Sequence, residues 1–189
     1  MRILIITPDS NKHGNDYSGA FKIEADRFCA KYDKEHTIER CELSYGIDVD
    51  NFNIAITSDC DWLVIFCHGG SRWLFKSEFI TAKLAAPIAE HITLFACSAA
   101  KDEQSPACFF SISERVKWVD GHFNAGHTTS NPNVNRWVSG SNQQLTLALK
   151  DAQLYQNWVK NLANRHNNSF RFEFPLQTEA EIIKSLRGF

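Results

Sequence analysis

The stretch DWLVIFCHGG at residues 61–70 and the stretch HITLFACSAA at residues 91–100 decide the fold of this chain. Residues 61–67 carry a continuous apolar run without polar alternation, which is typical of a parallel strand covered on both faces, and residues 91–97 predict another buried strand. The first run ends at His68-Gly69 and the second at Ala96-Cys97. We therefore predict two buried strands, one followed by His68 and the other by Cys97, two residue types that can act in catalysis.

Strands and helices alternate along the rest of the chain. Residues 77–90 carry apolar side chains at helical spacing and predict a helix, so that 61–97 forms one strand–helix–strand unit with a right-handed crossover. Further strands are predicted at 2–7, 35–43, 121–127 and 169–174, and further helices at 17–32, within 44–59, from Pro106 to about 118, at 145–164 and at 178–187. This order predicts an α/β fold, a three-layer sandwich around a mostly parallel central sheet.

The 189 residues favour a single domain. Its predicted core covers 1–127, an exposed polar loop follows at 128–142, and C-terminal helices with a late strand occupy 143–189. The net charge of −2 argues against nucleic acid or an anionic membrane as a partner, because both are bound mainly through clustered positive charge. The apolar start of the chain, Ile3 to Ile6, is too short for a signal peptide or a spanning helix, so we expect a cytoplasmic protein.

The chain contains six cysteines, none of them in a CxxC pair. In a cytosolic domain of this size most cysteines are small buried hydrophobic residues. Cys97 differs, because it follows a strand at the edge where ligands bind in a parallel sheet and is surrounded by small residues that leave its thiol uncovered. His68 follows another strand at the same edge, 29 residues earlier. A thiolate nucleophile, a nearby imidazole and backbone N–H donors for an oxyanion are the groups that acyl transfer needs.

The segments VIFCHGG (64–70) and ITLFACSAA (92–100) resemble the caspase-hemoglobinase clan of cysteine peptidases. They look closest to its bacterial CHAT-like domains and to the self-cleaving domain of RTX toxins. The resemblance implies a caspase-like fold and a cysteine endopeptidase. We expect no cofactor. A metal site formed by His122 and His127 with His68 and Cys97 is disfavoured, because the HxxxxH spacing of the two histidines is not that of a zinc-ligand pair. On the matching positions the resemblance implies that His68 is the catalytic imidazole, that Cys97 is the nucleophile, and that the N–H groups of Gly69 and Cys97 form the oxyanion hole.

In this clan the loops after the first and fifth strands shape the pocket for the residue before the cleaved bond. Here that nominates Asp9 and Asp16 from the first loop and the segment 126–136 from the later one. An acidic pocket favours a peptide or protein substrate with Lys or Arg before the cleaved bond. Arg72 and His127 are further candidates for substrate binding, and the alternatives are a solvated charge for Arg72 and a structural role for His127.

Two other functions stay open. The chain is short for the clan and has no obvious processing linker, so a non-catalytic interaction or scaffold domain of the same fold is one alternative. The other is a different cysteine hydrolase, such as an amidase, on a similar sheet. Such enzymes usually place the nucleophile in a Gly-x-Cys-x-Gly turn, whereas residues 95–99 read FACSA.

Overall fold

The apolar runs of the sequence become the central strands of the fold. The computed structural model describes residues 1–9, 19–78, 85–102, 105–111, 113, 115–126, 129 and 134–138. Its strands are β1 (Arg2–Pro8), β2 (Thr37–Leu43), β3 (Trp62–Phe66), β4 (Gly69–Gly70), β5 (Trp73–Leu74), β6 (Ser77–Glu78), β7 (His91–Phe95), β8 (Trp118–His122) and β9 (Val134–Val138). Its helices are α1 (Ala20–Tyr32), α2 (Val49–Ile56) and α3 (Pro106–Phe110).

Within the described residues, six strands form one sheet in the order β2-β1-β3-β7-β8-β9. The first five are parallel to one another, and β9 runs antiparallel to β8 at the edge. The short strands β4, β5 and β6 form a separate antiparallel sheet. The prediction of an α/β fold with a mostly parallel central sheet is therefore confirmed.

Side chains of the central strands alternate between two apolar clusters, one on each face of the sheet. On the face that we call the α1 face, Val64 and Phe66 pack with Phe21 and Phe28 of α1. On the opposite face, Leu63 and Ile65 pack in one cluster with residues of α2 and α3. Burying both faces of β3 explains why its sequence lacks polar alternation.

The predicted helix at 77–90 is wrong where the structure describes it. Ser77 and Glu78 form strand β6, residues 85–90 have no regular structure, and residues 79–84 lie outside the described part of the chain. Pro87 explains the failure at the C-terminal end, because a proline in a helix interior removes a hydrogen bond and clashes with the preceding turn. The two strands are nevertheless parallel, as predicted, and the structure shows that β3 and β7 are direct neighbours in the sheet.

The boundaries of the next two elements also differ from the prediction. Helix α3 ends at Phe110 rather than near residue 118, and the Ser111 hydroxyl donates to the carbonyl of Cys108 at 2.8 Å, a local bond that competes with helix continuation. Strand β8 begins at Trp118 and ends at His122, earlier than the predicted 121–127, because its register against β7 starts at His91–Trp118.

The loop predicted at 128–142 is wrong at residues 134–138, which form the edge strand β9. The polar composition was misleading because one charged residue of this strand is buried in an ion pair. Arg136 lies opposite Asp120 in the β8–β9 ladder, with Nε 2.6 Å from Oδ1 and a second bond of 2.7 Å from Nη2 to Oδ2. The Arg136 guanidinium also stacks over the Trp118 ring, 4.7 Å from its centroid.

The predicted elements at 145–164, 169–174 and 178–187 lie outside the described residues, as does the rest of the predicted domain from 143 to 189. Among the helices that the structure describes, none is long and apolar enough to cross a membrane.

We predict that Asp120→Ala lowers the free energy of unfolding by about 3 kcal/mol or more, because it leaves the Arg136 charge buried without its carboxylate. Urea denaturation followed by circular dichroism measures this loss. The control is Asp59→Ala, which removes an ion pair with Arg2 whose side chains are half or more exposed, and it should cost less than about 1 kcal/mol. An equally small loss of unfolding free energy in both variants would contradict a buried Asp120–Arg136 ion pair.

Candidate functional site

His68 and Cys97 occupy equivalent positions on neighbouring strands. In the β3–β7 ladder Trp62 pairs with His91 and Phe66 with Phe95, so partners are always 29 residues apart. His68 and Cys97 have the same separation and follow their strands by two residues each. The N–H of Cys67 continues the ladder by donating to Phe95 O at 3.3 Å. Neighbouring parallel strands lie about 4.8 Å apart, so the two residues begin adjacent loops at one edge of the sheet.

The two residues also belong to the same face of the sheet. Phe66 and Phe95 pack on the α1 face, and alternation by two residues returns His68 and Cys97 to that face. The ring of Phe21, in the first turn of α1, meets the His68 ring edge-on with centroids 4.9 Å apart. Both His68 and Cys97 are half-buried, so each is partly open to solvent.

Tyr45 supports the backbone of His68 from the loop after β2. Its hydroxyl accepts a hydrogen bond from the His68 N–H at 3.1 Å, and its ring lies 5.8 Å from the His68 ring. Tyr45 is not among the site residues predicted from the sequence. The available signal was its position just after β2, at the same carboxyl edge of the sheet as His68.

Gly69 follows His68 into the small β4–β5 hairpin. Phe75 N–H donates to His68 O at 3.1 Å, which makes the Gly69–Leu74 pair the non-hydrogen-bonded position of this antiparallel ladder. At such a position the N–H is directed away from the partner strand. The Gly69 N–H is therefore not used by β5, as an oxyanion donor requires.

Close packing explains why residue 69 is a glycine. A Cβ built there would lie 2.8 Å from the Ala96 Cβ and 3.2 Å from the carbonyl oxygen of Cys97. The first distance is too short for real Cβ atoms, so any side chain would push the His68 and Cys97 loops apart. The glycine thus lets the two loop backbones come into contact. The Ala96 Cβ and the carbonyl oxygen of Cys97 occupy the space next to it.

Cys97 begins a tight turn that is bonded to the segment after β8. The turn places Ser98 in the left-handed region with φ +53°, and the Ser98 N–H donates to Asn124 O at 2.9 Å. A positive φ is uncommon for a residue with a side chain and marks a strained turn. The N–H of Gly126 points at the Cys97 sulfur, with nitrogen and sulfur 3.3 Å apart.

The predicted pocket residues are placed only in part. Asp9 is half-buried directly after β1, and its N–H donates to Leu43 O at 2.9 Å. In the β1–β3 register Ile6 pairs with Ile65, and the same offset leads from Asp9 to His68, so Asp9 begins the loop beside that of His68. Arg72 is exposed at the tip of the β4–β5 hairpin. Asp16 and His127 lie outside the described residues.

Two residues near the site belong to the core. Cys67 is fully buried on the face opposite His68, and burial raises the pKa of its thiol. His122 is fully buried in β8, and the segment 126–136 nominated for the pocket includes the buried Arg136 of β9. Among the described residues, no group of three or more His, Cys, Asp or Glu side chains is arranged to hold a metal ion.

No protein-family model matches this chain, and no curated protein is significantly similar to it. The geometry is therefore the basis for assigning a function. It combines a half-buried thiol, an imidazole on the neighbouring strand and an N–H at Gly69 that the adjacent ladder does not use.

We predict that Gly69→Ala destabilises the fold by about 1–3 kcal/mol, the usual cost of overpacking, because its methyl group overlaps Ala96. Thermal and urea unfolding measure the loss. Adding Ala96→Gly to Gly69→Ala removes the closest contact and should recover part of the stability. If Gly69→Ala is as stable as the parent, the two loops are not in contact as described.

Proposed function

We propose that this protein is a cysteine endopeptidase with a caspase-like fold, in which Cys97 is the nucleophile and His68 the acid–base group. The observation that carries the proposal is the equal register of the two residues on one face of adjacent parallel strands. A pair of core residues would not need partial exposure, whereas both of these side chains are half-buried at the edge where parallel sheets bind ligands.

In the proposed reaction the Cys97 thiol gives its proton to His68, and the resulting thiolate sulfur attacks the carbonyl carbon of the peptide bond while the carbonyl π electrons move onto oxygen. The N–H groups of Gly69 and Cys97 bind the resulting oxyanion. The tetrahedral intermediate then collapses and breaks the C–N bond, while protonated His68 gives its proton to the leaving amine.

The acyl group is now held on Cys97 as a thioester. His68, neutral after the first half, accepts a proton from a water molecule as the water oxygen attacks the thioester carbonyl. The C–S bond breaks, the carboxylic acid product leaves, and the thiolate and imidazolium are restored. No cofactor or metal takes part in this scheme.

We further propose that the residue before the cleaved bond is Lys or Arg. Asp9 supports this preference, because it begins the loop beside that of His68 and stays half-exposed. A carboxylate at that position attracts a cationic side chain that approaches the same edge of the sheet. Peptides and proteins are therefore the substrate class.

We predict that Cys97→Ala abolishes cleavage of a mixed peptide library, with a loss of roughly a thousandfold or more, because the nucleophile is removed. Mass spectrometry of the products measures cleavage and identifies the residue before each cut, for which Lys or Arg is expected. The matched control is Cys29→Ala, which removes another half-buried thiol, on α1, and should leave cleavage unchanged.

Cleavage that survives in Cys97→Ala would contradict the proposal. Absence of cleavage by the parent protein, together with Cys97 alkylation no faster than that of Cys29, would favour the scaffold alternative instead.

A further inference from the structure

A buried carboxylate on α1 holds the segment that follows β8. Glu24 is only 5% exposed, and its Oε2 accepts hydrogen bonds from both the N–H of Thr129 at 3.1 Å and its hydroxyl at 2.8 Å. The other carboxylate oxygen accepts from Arg27 at 2.6 Å. Residues 24 and 129 are far apart in the chain, so these bonds fix Thr129 onto the helix.

The same segment is bonded to the turn that carries Cys97. His122 O accepts the Ala100 N–H at 3.0 Å and Asn124 O accepts the Ser98 N–H at 2.9 Å. Two residues later the direction reverses, and the Gly126 N–H donates to the Cys97 sulfur at 3.3 Å. The bonds to Ala100 and Ser98 fix the start of the segment, and Glu24 fixes Thr129, three residues beyond Gly126.

We propose that Glu24 is a positioning residue for the candidate nucleophile: by holding Thr129 it keeps the Gly126 N–H directed at the Cys97 sulfur. An N–H aimed at sulfur stabilises the thiolate, which is the reactive form of cysteine. The role of Glu24 in peptide cleavage rests on the proposed function, whereas its effect on the Cys97 thiol does not.

The charge of Glu24 suits this role. Burial by itself would raise the pKa of Glu24, but the hydrogen bonds from Thr129 and the nearby Arg27 charge outweigh burial and lower it. The group is therefore a carboxylate at neutral pH, able to accept all three bonds at once. Glutamine has the same shape but accepts through one oxygen only, and its amide nitrogen would face a donor.

The test compares Glu24→Gln with Asp26→Asn. Asp26 lies on the same helix but pairs with Arg40 at 2.7 Å, away from the segment after β8, so its variant controls for a lost charge on α1. The first measurement is the rate of Cys97 alkylation by iodoacetamide at neutral pH, mapped by mass spectrometry. Alkylation of Cys60 gives an internal reference, because burial raises the pKa of Cys60 to about 11 and keeps it slow.

We expect Glu24→Gln to slow Cys97 alkylation by about fivefold, the factor that corresponds to one ordinary hydrogen bond. The amide of Gly126 should exchange its hydrogen faster by a similar factor, while the amide of Val64 in the core of β3 is unchanged. A merely structural loss would speed exchange at both positions. In Asp26→Asn the alkylation rate and the Gly126 exchange rate should equal those of the parent.

Variants at Thr129 keep the proposal testable if Glu24→Gln does not fold. Thr129→Val removes the hydroxyl that Glu24 accepts and should slow alkylation, whereas Thr129→Ser retains the hydroxyl and should restore the parent rate. If Glu24→Gln folds, combining it with Thr129→Val should add little to the effect of either, because both act on one contact.

An unchanged Cys97 alkylation rate in Glu24→Gln, or equal rates in Thr129→Val and Thr129→Ser, would overturn the proposal. Both results are independent of peptide cleavage. If the proposed peptidase function fails while alkylation responds as expected, the positioning role of Glu24 stands without it.

Discussion

The parallel pairing of β3 with β7 is the constraint on which the site depends. Its register keeps residues 29 apart side by side, and the same offset carries His68 and Cys97 to matching positions beyond the strand ends. A slip of one residue would move one of them to the opposite face, away from the other. Burial of Val64, Ile65 and Leu94 on both faces fixes that register, so the hydrophobic core determines where His68 and Cys97 lie relative to each other.

Small residues let the loops at this edge approach one another. Gly69 packs on Ala96, and a Cβ at Gly121 would lie 3.0 Å from the Cβ of Ala100. These contacts bring the backbones of the His68 and Cys97 loops, and of β8, close together at this edge of the sheet. The strained Ser98 is held in place by its bond to Asn124, so the turn does not depend on a glycine.

Apolar runs in the sequence predicted the central strands well, because a strand that is buried on both faces needs apolar side chains on both of them. The helix predicted at 77–90 was wrong at both of its described ends, and at the C-terminal end the helical spacing of the apolar residues was misleading because Pro87 interrupts a helix there. β9 was missed because the burial of Arg136 depends on Asp120, a partner 16 residues away that local composition cannot reveal. Tyr45 and Glu24 were missed for the same reason, since each makes a contact that forms only in the folded chain.

The most direct test of the account is whether positions 68 and 97 face each other. His68→Cys in a Cys67→Ala background, under mild oxidation, should form a disulfide with Cys97, because Cα atoms on neighbouring parallel strands, about 4.8 Å apart, lie within disulfide range. Arg72→Cys in the same background is the control and should not, since Arg72 is exposed at the hairpin tip. Peptide mapping that finds the first bridge and not the second is the predicted result. Two alkylatable thiols and no bridge in the His68→Cys protein would contradict a shared site.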